Sequence, residues 1–192
     1  QECVNGPLLF NLGITLARVA AAFIVAMAIG TAIGIVMGRS RTIDALFDSW
    51  LVLLLNLPAL VIIVLAYVWF GLTEAAAIGA VAVNKIPNTA VTLREGARAL
   101  DRSYADMAAS FRVGRWRTLR HVIMPQLYPY IFAAARSGLA LVWKIVLIVE
   151  LLGMSNGIGF QIQIYFQQFD VARILAYSIA FMVVIQLIEW GV

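Results

Sequence analysis

Long apolar runs dominate this chain and predict membrane-spanning helices. A helix of about 20 mostly apolar residues can cross a bilayer, and the stretches of sufficient length are residues 8–37, 50–70, 75–93, 128–152 and 174–192. Membrane β-barrels show alternating segments of about ten residues, whereas these runs are longer and rich in Leu, Ala, Ile and Gly. The pattern predicts an all-α membrane protein in which residues 1–192 form a single transmembrane domain with five spans.

The composition agrees with a membrane protein. Hydrophobic residues make up 63% of the chain and charged residues 12%, whereas soluble domains are about 45–50% apolar. The first run is too long for a signal-peptide core and lacks a small-residue cleavage site, so we expect it to remain in the mature protein. Cys3 is the only cysteine, which excludes an internal disulfide. An apolar run still continues at Val192, so we expect further flanking sequence, and an additional span upstream stays open.

The arginines predict the orientation, because short loops rich in Lys and Arg stay cytoplasmic. Arg39 and Arg41 mark one internal loop, and the segment 94–125 marks another. Residues 94–121 include seven arginines and three acidic residues. This excess of four positive charges equals the formal net charge of the chain, +4. The connection 71–74 has no cation. These signs predict an external N-terminus, an internal C-terminus and an external stretch at residues 153–170.

Small residues and helix breakers shape the predicted spans. A small residue at every fourth position of the first span predicts close packing against a neighbouring helix. Asn56 and Pro58 in the second span, and Pro87 in the third, predict bends that free backbone carbonyls. The small residues are Ala22, Ala26, Gly30, Gly34 and Gly38.

The cationic segment predicts a helix over residues 97–111 and a short second helix over 115–122, with Gly114 between them as the flexible point. Apolar side chains accompany the arginines, namely Met107, Phe111, Trp116 and Leu119. Two interpretations are open. The apolar side chains fill a groove of a partner protein while the arginines bind carboxylates at its rim, or the arginines bind anionic lipid.

The segment also resembles the loop E-A-A-x3-G-x9-I-x-L-P of binding-protein-dependent ABC importer permeases. Arg112 departs from the family's Gly, and Gly114 is expected to supply the turn instead. Trp116 matches a residue frequent in one subgroup. The positions that agree in register with the loop are Asp106, Met107, Ala108, Val122, Met124 and Pro125.

Two further motifs extend the resemblance along the chain. Trp69-Phe70-Gly71 with Glu74 is similar to the family's external turn W-F-G-x-x-E. Trp143, Glu150 and Gly157-Ile158-Gly159 resemble the W…E…G-x-G run of the permeases for nitrate, sulfonates and taurine.

The resemblance implies a type I ABC importer transmembrane domain in a bacterial inner membrane. Its implied partners are a second permease subunit, expected to be identical, two ABC ATPase subunits, a periplasmic or lipid-anchored solute-binding protein, and membrane lipid, with no nucleic acid. ATP and Mg²⁺ would bind the ATPase subunits, and this chain would bind no cofactor. The implied coupling loop spans residues 94–125, with contacts from Asp106, Met107, Ala108, Phe111, Arg112, Gly114, Arg115, Trp116, Arg117, Val122 and Pro125.

The residue types argue against an enzyme. Nucleotide hydrolysis would need a G-x-x-x-x-G-K-[ST] loop, but the only lysines, Lys85 and Lys144, follow no such pattern. His121 is the sole histidine, which excludes a metal site built of histidines, and we expect it to be an interfacial side chain. The energy for transport is therefore expected from another polypeptide.

Polar residues at membrane depth are candidates for a translocation path, because a charge at the centre of a span costs about 2.5–3.5 kcal/mol on insertion scales. Lys85 and Lys144 would attract an anion, or serve as interhelical donors. Glu150 would hold an external gate or meet the binding protein, and Arg136 is expected to be structural. Residues 157–170 predict an amphipathic segment on the external surface, either a cap or a passive connector. The path candidates are Asn56, Asn84, Lys85, Asn88, Lys144 and Glu150.

Three functions fit these observations. An importer permease for a small anionic solute would use the coupling loop to engage an ATPase. A secondary transporter or channel would use the lysines without an ATPase, and its basic loop would bind lipid. A membrane scaffold would need only the small-residue stripe. Substitution of Trp116 and Gly114 discriminates among them, because only the importer needs the loop for transport.

Overall fold

A computed structural model describes residues 7–101, 103, 104, 107 and 110–191, without the side chains of Pro7 and Arg115. Within these residues the regular structure is helical and no strand occurs. A π-helical turn, Leu119–Ile123, joins α5 to α6. The helices are α1 (Pro7–Arg39), α2 (Arg41–Asn56), α3 (Ala59–Phe70), α4 (Glu74–Arg98), α5 (Arg115–Thr118), α6 (Met124–Gly153), α7 (Ile158–Gln167) and α8 (Val171–Gly191).

Among the described residues, three helical segments are long and apolar enough to cross a membrane: Leu8–Arg39, Trp116–Gly153 and Val171–Trp190. The pair α2 and α3 adds a fourth if it counts as one broken span. Helix α4 coincides with the predicted third span but carries Asn84, Lys85 and Asn88 near its middle. The all-α prediction is confirmed over the described residues, whereas five spans and their orientation stay predictions.

The bend predicted at Asn56 and Pro58 is present, and it divides the predicted second span, residues 50–70, into two helices. Helix α2 begins earlier, at Arg41, where the hydroxyl of Ser40 accepts a hydrogen bond from the amide of Ile43. Leu57 and Pro58 are extended, and α3 leaves at 96° to α2. The cause is Pro58, because proline disfavours helical geometry in the preceding residue. Pro87, in contrast, lies within the uninterrupted helix α4.

Helices α1 and α4 pack backbone to backbone along the predicted small-residue stripe. Ala22 and Ala26 are fully buried. A Cβ placed on Gly34 would lie 2.5 Å from the carbonyl oxygen of Ala90, and one on Gly38 would lie 2.6 Å from the Cβ of Ala97. The stripe therefore does what its spacing predicts, and the closest approach lies in the second half of α1.

Helix α6 crosses two hydrophobic clusters at opposite ends of the bundle. Near its start, Leu127 joins a cluster with Leu93 of α4 and Ile123 of the π-helical turn. Near its end, Trp143 packs edge-on against Phe181 of α8, with ring centroids 5.8 Å apart. Because one helix belongs to both clusters, it connects the cationic segment to the opposite end of the molecule.

The glycine packing predicts a stability difference between two glycines of the same helix. Gly34→Ala should destabilise the protein by about 1–3 kcal/mol, since overpacking of a tight contact has this cost. Gly13→Ala is the control, because no heavy atom lies within 4 Å of a Cβ at Gly13. Thermal unfolding in detergent measures both variants. Equal melting temperatures would contradict the assigned contact.

Candidate functional site

A buried arginine organises the end of the bundle that holds Glu74. Arg18, on α1, is 4% exposed, although it lies in a helix that is otherwise strongly apolar. Its guanidinium binds the Glu150 carboxylate at 2.8 Å through Nη1 and the Glu74 carboxylate through Nε, at 2.7 Å, and Nη2. It also donates to the backbone and side-chain oxygens of Asn156. All five guanidinium N–H donors therefore have acceptors.

Glu150 is fully buried and has partners on both carboxylate oxygens. Oε1 accepts from Arg18, and Oε2 lies 2.9 Å from both the Thr15 hydroxyl and the Gly159 amide. That amide belongs to the first turn of α7, where unpaired N–H groups and the helix dipole favour a negative charge. Glu150 therefore joins α1, α6 and α7.

The glycines of the G-x-G run make room for this carboxylate. Gly157 has φ +106°, and a Cβ there would collide with the carboxyl group of Glu150. Its amide donates to the Asn11 side chain at 2.7 Å, and the Ile158 amide donates to Thr15 at 2.9 Å. The start of α7 is thus fixed against α1 by backbone donors.

Sequence analysis missed Arg18, which is the centre of this network. The available signal was an arginine inside the first apolar run together with two carboxylates, Glu74 and Glu150, at the ends of later runs. Glu150 lies inside the bundle and not at a surface where a partner could contact it. Glu74 keeps a side chain that is 56% exposed, and the hydrogen bonds from Arg18 lower the pKa of its carboxyl.

Lys85, a predicted path residue, is buried between α4 and α6. It is 1% exposed, and its Nζ lies 3.4 Å from the carbonyl oxygen of Ala134. A Cβ on Gly138 would overlap the end of the lysine side chain, so Gly138 creates its space. Lys85 has no anionic partner among the described residues, and its hydrogen bond to Ala134 leaves two of its three ammonium donors without an acceptor there.

The remaining path candidates do not form one cluster with Lys85. Asn84 and Asn88 flank it on α4 and are partly buried. Lys144 is exposed on α6, and Asn56 is exposed at the break between α2 and α3, where its amide donates to the Val52 carbonyl at 2.7 Å. The two lysines therefore differ in burial: Lys85 is buried and Lys144 is exposed.

The coupling-loop candidates include three exposed large apolar side chains in the same segment as the arginines. Met107 is 52% exposed, Phe111 77% and Trp116 71%. Leu119, predicted as part of this apolar set, instead packs partly buried against the inner cluster of Leu93 and Ile123. Asp106, Ala108 and the side chain of Arg115 lie outside the described residues. Arg112, Gly114, Arg117, His121 and Pro125 are exposed, and Val122 is partly buried.

One expectation about this loop is wrong, since the predicted helix 97–111 is not continuous: α4 ends at Arg98 and residues 99–101 are not helical. Gly114 lies in the non-helical break before α5, as predicted, but the left-handed residue of the turn is Arg112, with φ +51°. An L-residue adopts this conformation at a cost of about 1–2 kcal/mol. Arg112 thus takes the backbone geometry of the glycine that the family loop has at this position.

Not all the arginines of the cationic segment are available to a partner. Arg94 lies 3.3 Å from a carboxylate oxygen of Asp44 and also binds Asp48, which raises the pKa of its guanidinium. Arg98 binds Asp44 as well. These pairs fasten α4 to α2. Besides the ion-paired Arg98, the exposed arginines of the loop among the described side chains are Arg112, Arg117 and Arg120.

A metal centre does not emerge from the described part of the chain, because no three His, Cys, Asp or Glu side chains come together there. Within these residues, Arg18, Glu74 and Glu150 form an ionisable cluster in which Arg18 and Glu150 are buried. The arrangement supports conformational coupling between helices and offers no nucleophile with a neighbouring base.

Comparison with known proteins agrees with this architecture. A putative aliphatic sulfonates transport permease from Bacillus subtilis is 28% identical over 94% of this chain and 66% of its own length. A bicarbonate transport system permease from Synechococcus elongatus is 31% identical over 84% of this chain and 58% of its own length. A taurine transport system permease from Escherichia coli is 28% identical over 85% and 59%. The chain thus spans about two thirds or less of these curated relatives.

A solved structure of an amino acid ABC transporter with histidines shares the fold. It aligns with a TM-score of 0.65 over 96% of this chain and 94% of its own, at 23% identity. The family model described as "Binding-protein-dependent transport system inner membrane component" matches residues 26–191. That description and the long apolar helices place the chain in the inner membrane as a multi-pass protein, and the relatives carry the names of permeases rather than enzymes. The chain belongs to the family of binding-protein-dependent transport system inner membrane components.

Proposed function

We propose that this chain is the membrane-spanning permease subunit of an ATP-driven importer and that its exposed loop docks on a separate ATPase subunit. The observation that carries the proposal is the loop surface of Met107, Phe111 and Trp116 beside Arg112 and Arg117. Large exposed aromatic side chains next to arginines are the composition of interaction hot spots. ATP and Mg²⁺ would bind the ATPase, because this chain has no phosphate-binding loop.

Helical continuity from the loop into the bundle supports a coupling role. The helical run Trp116–Gly153 begins at the docking surface and would extend for about 57 Å at 1.5 Å per residue. Leu119 and Ile123 anchor its start in the inner cluster, and Glu150 lies near its far end. A displacement of Trp116 by an ATPase would therefore reach the Arg18 network through one continuous helical run.

The proposed substrate is a small anionic solute delivered by a solute-binding protein. Lys85 carries a buried positive group without a carboxylate partner in the described chain, and such groups in membrane helices usually face a pathway or a partner. The names of the relatives, which refer to sulfonates, bicarbonate and taurine, agree with a small acidic group. Two copies of the chain, two ATPases and one binding protein form the proposed assembly.

Docking predicts that Trp116 dominates the ATPase contact. Trp116→Ala should weaken association at least tenfold, since truncation of a hot-spot tryptophan costs about 2 kcal/mol or more. Trp190→Ala is the matched control, because Trp190 is also exposed, at 87%, but lies on α8. Native mass spectrometry of the complex extracted at a series of ATPase concentrations measures both. Equal occupancy for the two variants would refute docking through the loop.

Charge reversal separates protein docking from lipid binding. Arg117→Glu should lower ATPase association in vesicles of neutral lipid, and the loss should shrink as salt screens the charge. A loop that binds only lipid would show no difference in neutral vesicles. Arg173→Glu, an exposed arginine on α8, is the control. Fluorescence binding of the labelled ATPase to the vesicles provides the measurement.

Lys85 should be needed for transport and not for folding. Lys85→Met removes a costly buried charge, so thermal stability should stay equal or rise, while uptake should fall at least tenfold. Lys144→Met, in an exposed position, should retain uptake. Proteoliposomes containing the whole transporter are tested with radiolabelled taurine, an alkanesulfonate, bicarbonate and nitrate. Normal uptake by Lys85→Met would give Lys85 a purely structural role.

A further inference from the structure

We propose that Arg18 is a positioning residue that closes the predicted external end of the pathway, and that Glu74 is the partner it releases when this end opens. The inference rests on the proposed transport function for its meaning, but the contact itself can be tested without transport. Three observations carry it: the unequal burial of the two carboxylates, the place of Glu74 in α4, and a cavity beside Glu74.

The two carboxylates of Arg18 are held very differently. Glu150 is fully buried and also has the Thr15 hydroxyl and the Gly159 amide as partners. Loss of Arg18 would leave its charge uncompensated inside the bundle. Glu74 has a half-exposed side chain, and Arg18 is its hydrogen-bonding partner among the described residues. Water can replace Arg18 at Glu74 but not at Glu150, so the Glu74 contact is the one that can open.

Because Glu74 lies at the start of α4, its contact with Arg18 holds that end of α4 against α1. Glu74 is the first residue of α4, and the Thr73 hydroxyl accepts from the Ala76 amide at 3.2 Å, so the preceding turn moves with the helix. The glycine contacts hold α4 against α1 at Gly30 and beyond. Arg18 lies twelve residues earlier on α1, about 18 Å away at 1.5 Å per residue. Release of Glu74 would let the start of α4 tilt about the glycine contact, a movement in which Ala77 and Ala80 also leave the cluster that holds Val19.

Space for the released carboxylate is present. A cavity of about 570 Å³ opens beside Glu74, between the α3–α4 turn, the end of α6 and α7. Its walls include the polar groups of Ser155 and Gln163. Glu74 can therefore leave Arg18 and remain hydrated, while Arg18 and Glu150 persist as a neutral buried pair.

Movement of α6 supplies a cause for the release. Glu150 lies on the same helical run as Trp116 of the docking surface. Because Arg18 is bound to Glu150 and Asn156 as well as to Glu74, a shift of α6 relative to α4 strains the Glu74 contacts first. The closure would thus respond to the ATPase at the opposite end of the bundle.

The test measures how often the end opens. Val19, next to Arg18, is 2% exposed and is replaced by cysteine in a Cys3→Ser background, so that the reporter is the only thiol. The rate of its modification by a membrane-impermeant maleimide is compared with and without Glu74→Gln, in permease reconstituted without nucleotide. Glu95→Gln is the matched control, because Glu95 is a similarly exposed ion-pairing residue at the other end of α4.

We expect three- to tenfold faster modification in Glu74→Gln and no change in Glu95→Gln, with melting temperatures preserved in both. Glu150→Gln should instead lower the melting temperature. In the assembled transporter, a non-hydrolysable ATP analogue should change the modification rate when Glu74 is present and have little effect in Glu74→Gln. Equal nucleotide-free rates for all three proteins would overturn the closure. Failure of an ATPase to assemble would overturn the proposed function, while the nucleotide-free comparison would still stand.

Discussion

The burial of one arginine among apolar helices is the constraint on which one end of this protein depends. A buried guanidinium must be paired and hydrogen-bonded, and removal of one partner of such a pair typically costs 3–5 kcal/mol. Arg18 meets this requirement by recruiting Glu150 from α6, Glu74 from α4 and Asn156 from the connection to α7. Four chain segments far apart in sequence are thereby fixed relative to one another. The two glycines around Glu150 follow from the same requirement, because any side chain at Gly157 would displace the carboxylate.

The opposite end of the bundle is held by close helix packing and by partly exposed ion pairs. There the glycines let α1 and α4 approach until their backbones are in contact. Dispersion contacts, and not charges, hold these two helices together. Ion pairs from Arg94 and Arg98 to Asp44 and Asp48 then fasten α2 to the same end of α4. At the start of α4, Ala77, Ala80 and Val81 are buried in the larger cluster with Val19 and Ala22 of α1, and the partly exposed polar contact is the one between Arg18 and Glu74. The exposure of the Glu74 carboxylate is the structural basis for assigning it the contact that opens.

Sequence patterns predicted the helices better than the geometry of their breaks. They also identified the motifs but not Arg18, the residue at the centre of the buried network. The break at Pro58 followed from local sterics, but the resulting 96° bend, which makes two helices of one predicted span, depends on how α2 and α3 pack. Arg112 shows the reverse problem. Gly114 was expected to supply the turn in this loop, yet the residue that adopts the left-handed conformation is Arg112, with φ +51°. Arg18 was overlooked because a lone charge in an apolar run does not identify its partners.

The sequence by itself determined that this chain is an all-helical membrane protein of the importer-permease family, because apolar length, small-residue spacing and the loop and G-x-G motifs are local patterns. It also singled out Lys85 and Glu150, since charges at membrane depth stand out in any apolar run. Only the tertiary structure decided that Glu150 pairs with Arg18 and that Leu119 anchors the loop. It also decided that Lys85 is buried in the space left by Gly138, whereas Lys144 is exposed. The physical reason is that pairing and burial depend on contacts between helices, and periodicity within one helix says which residues share a face but not which face of another helix they meet.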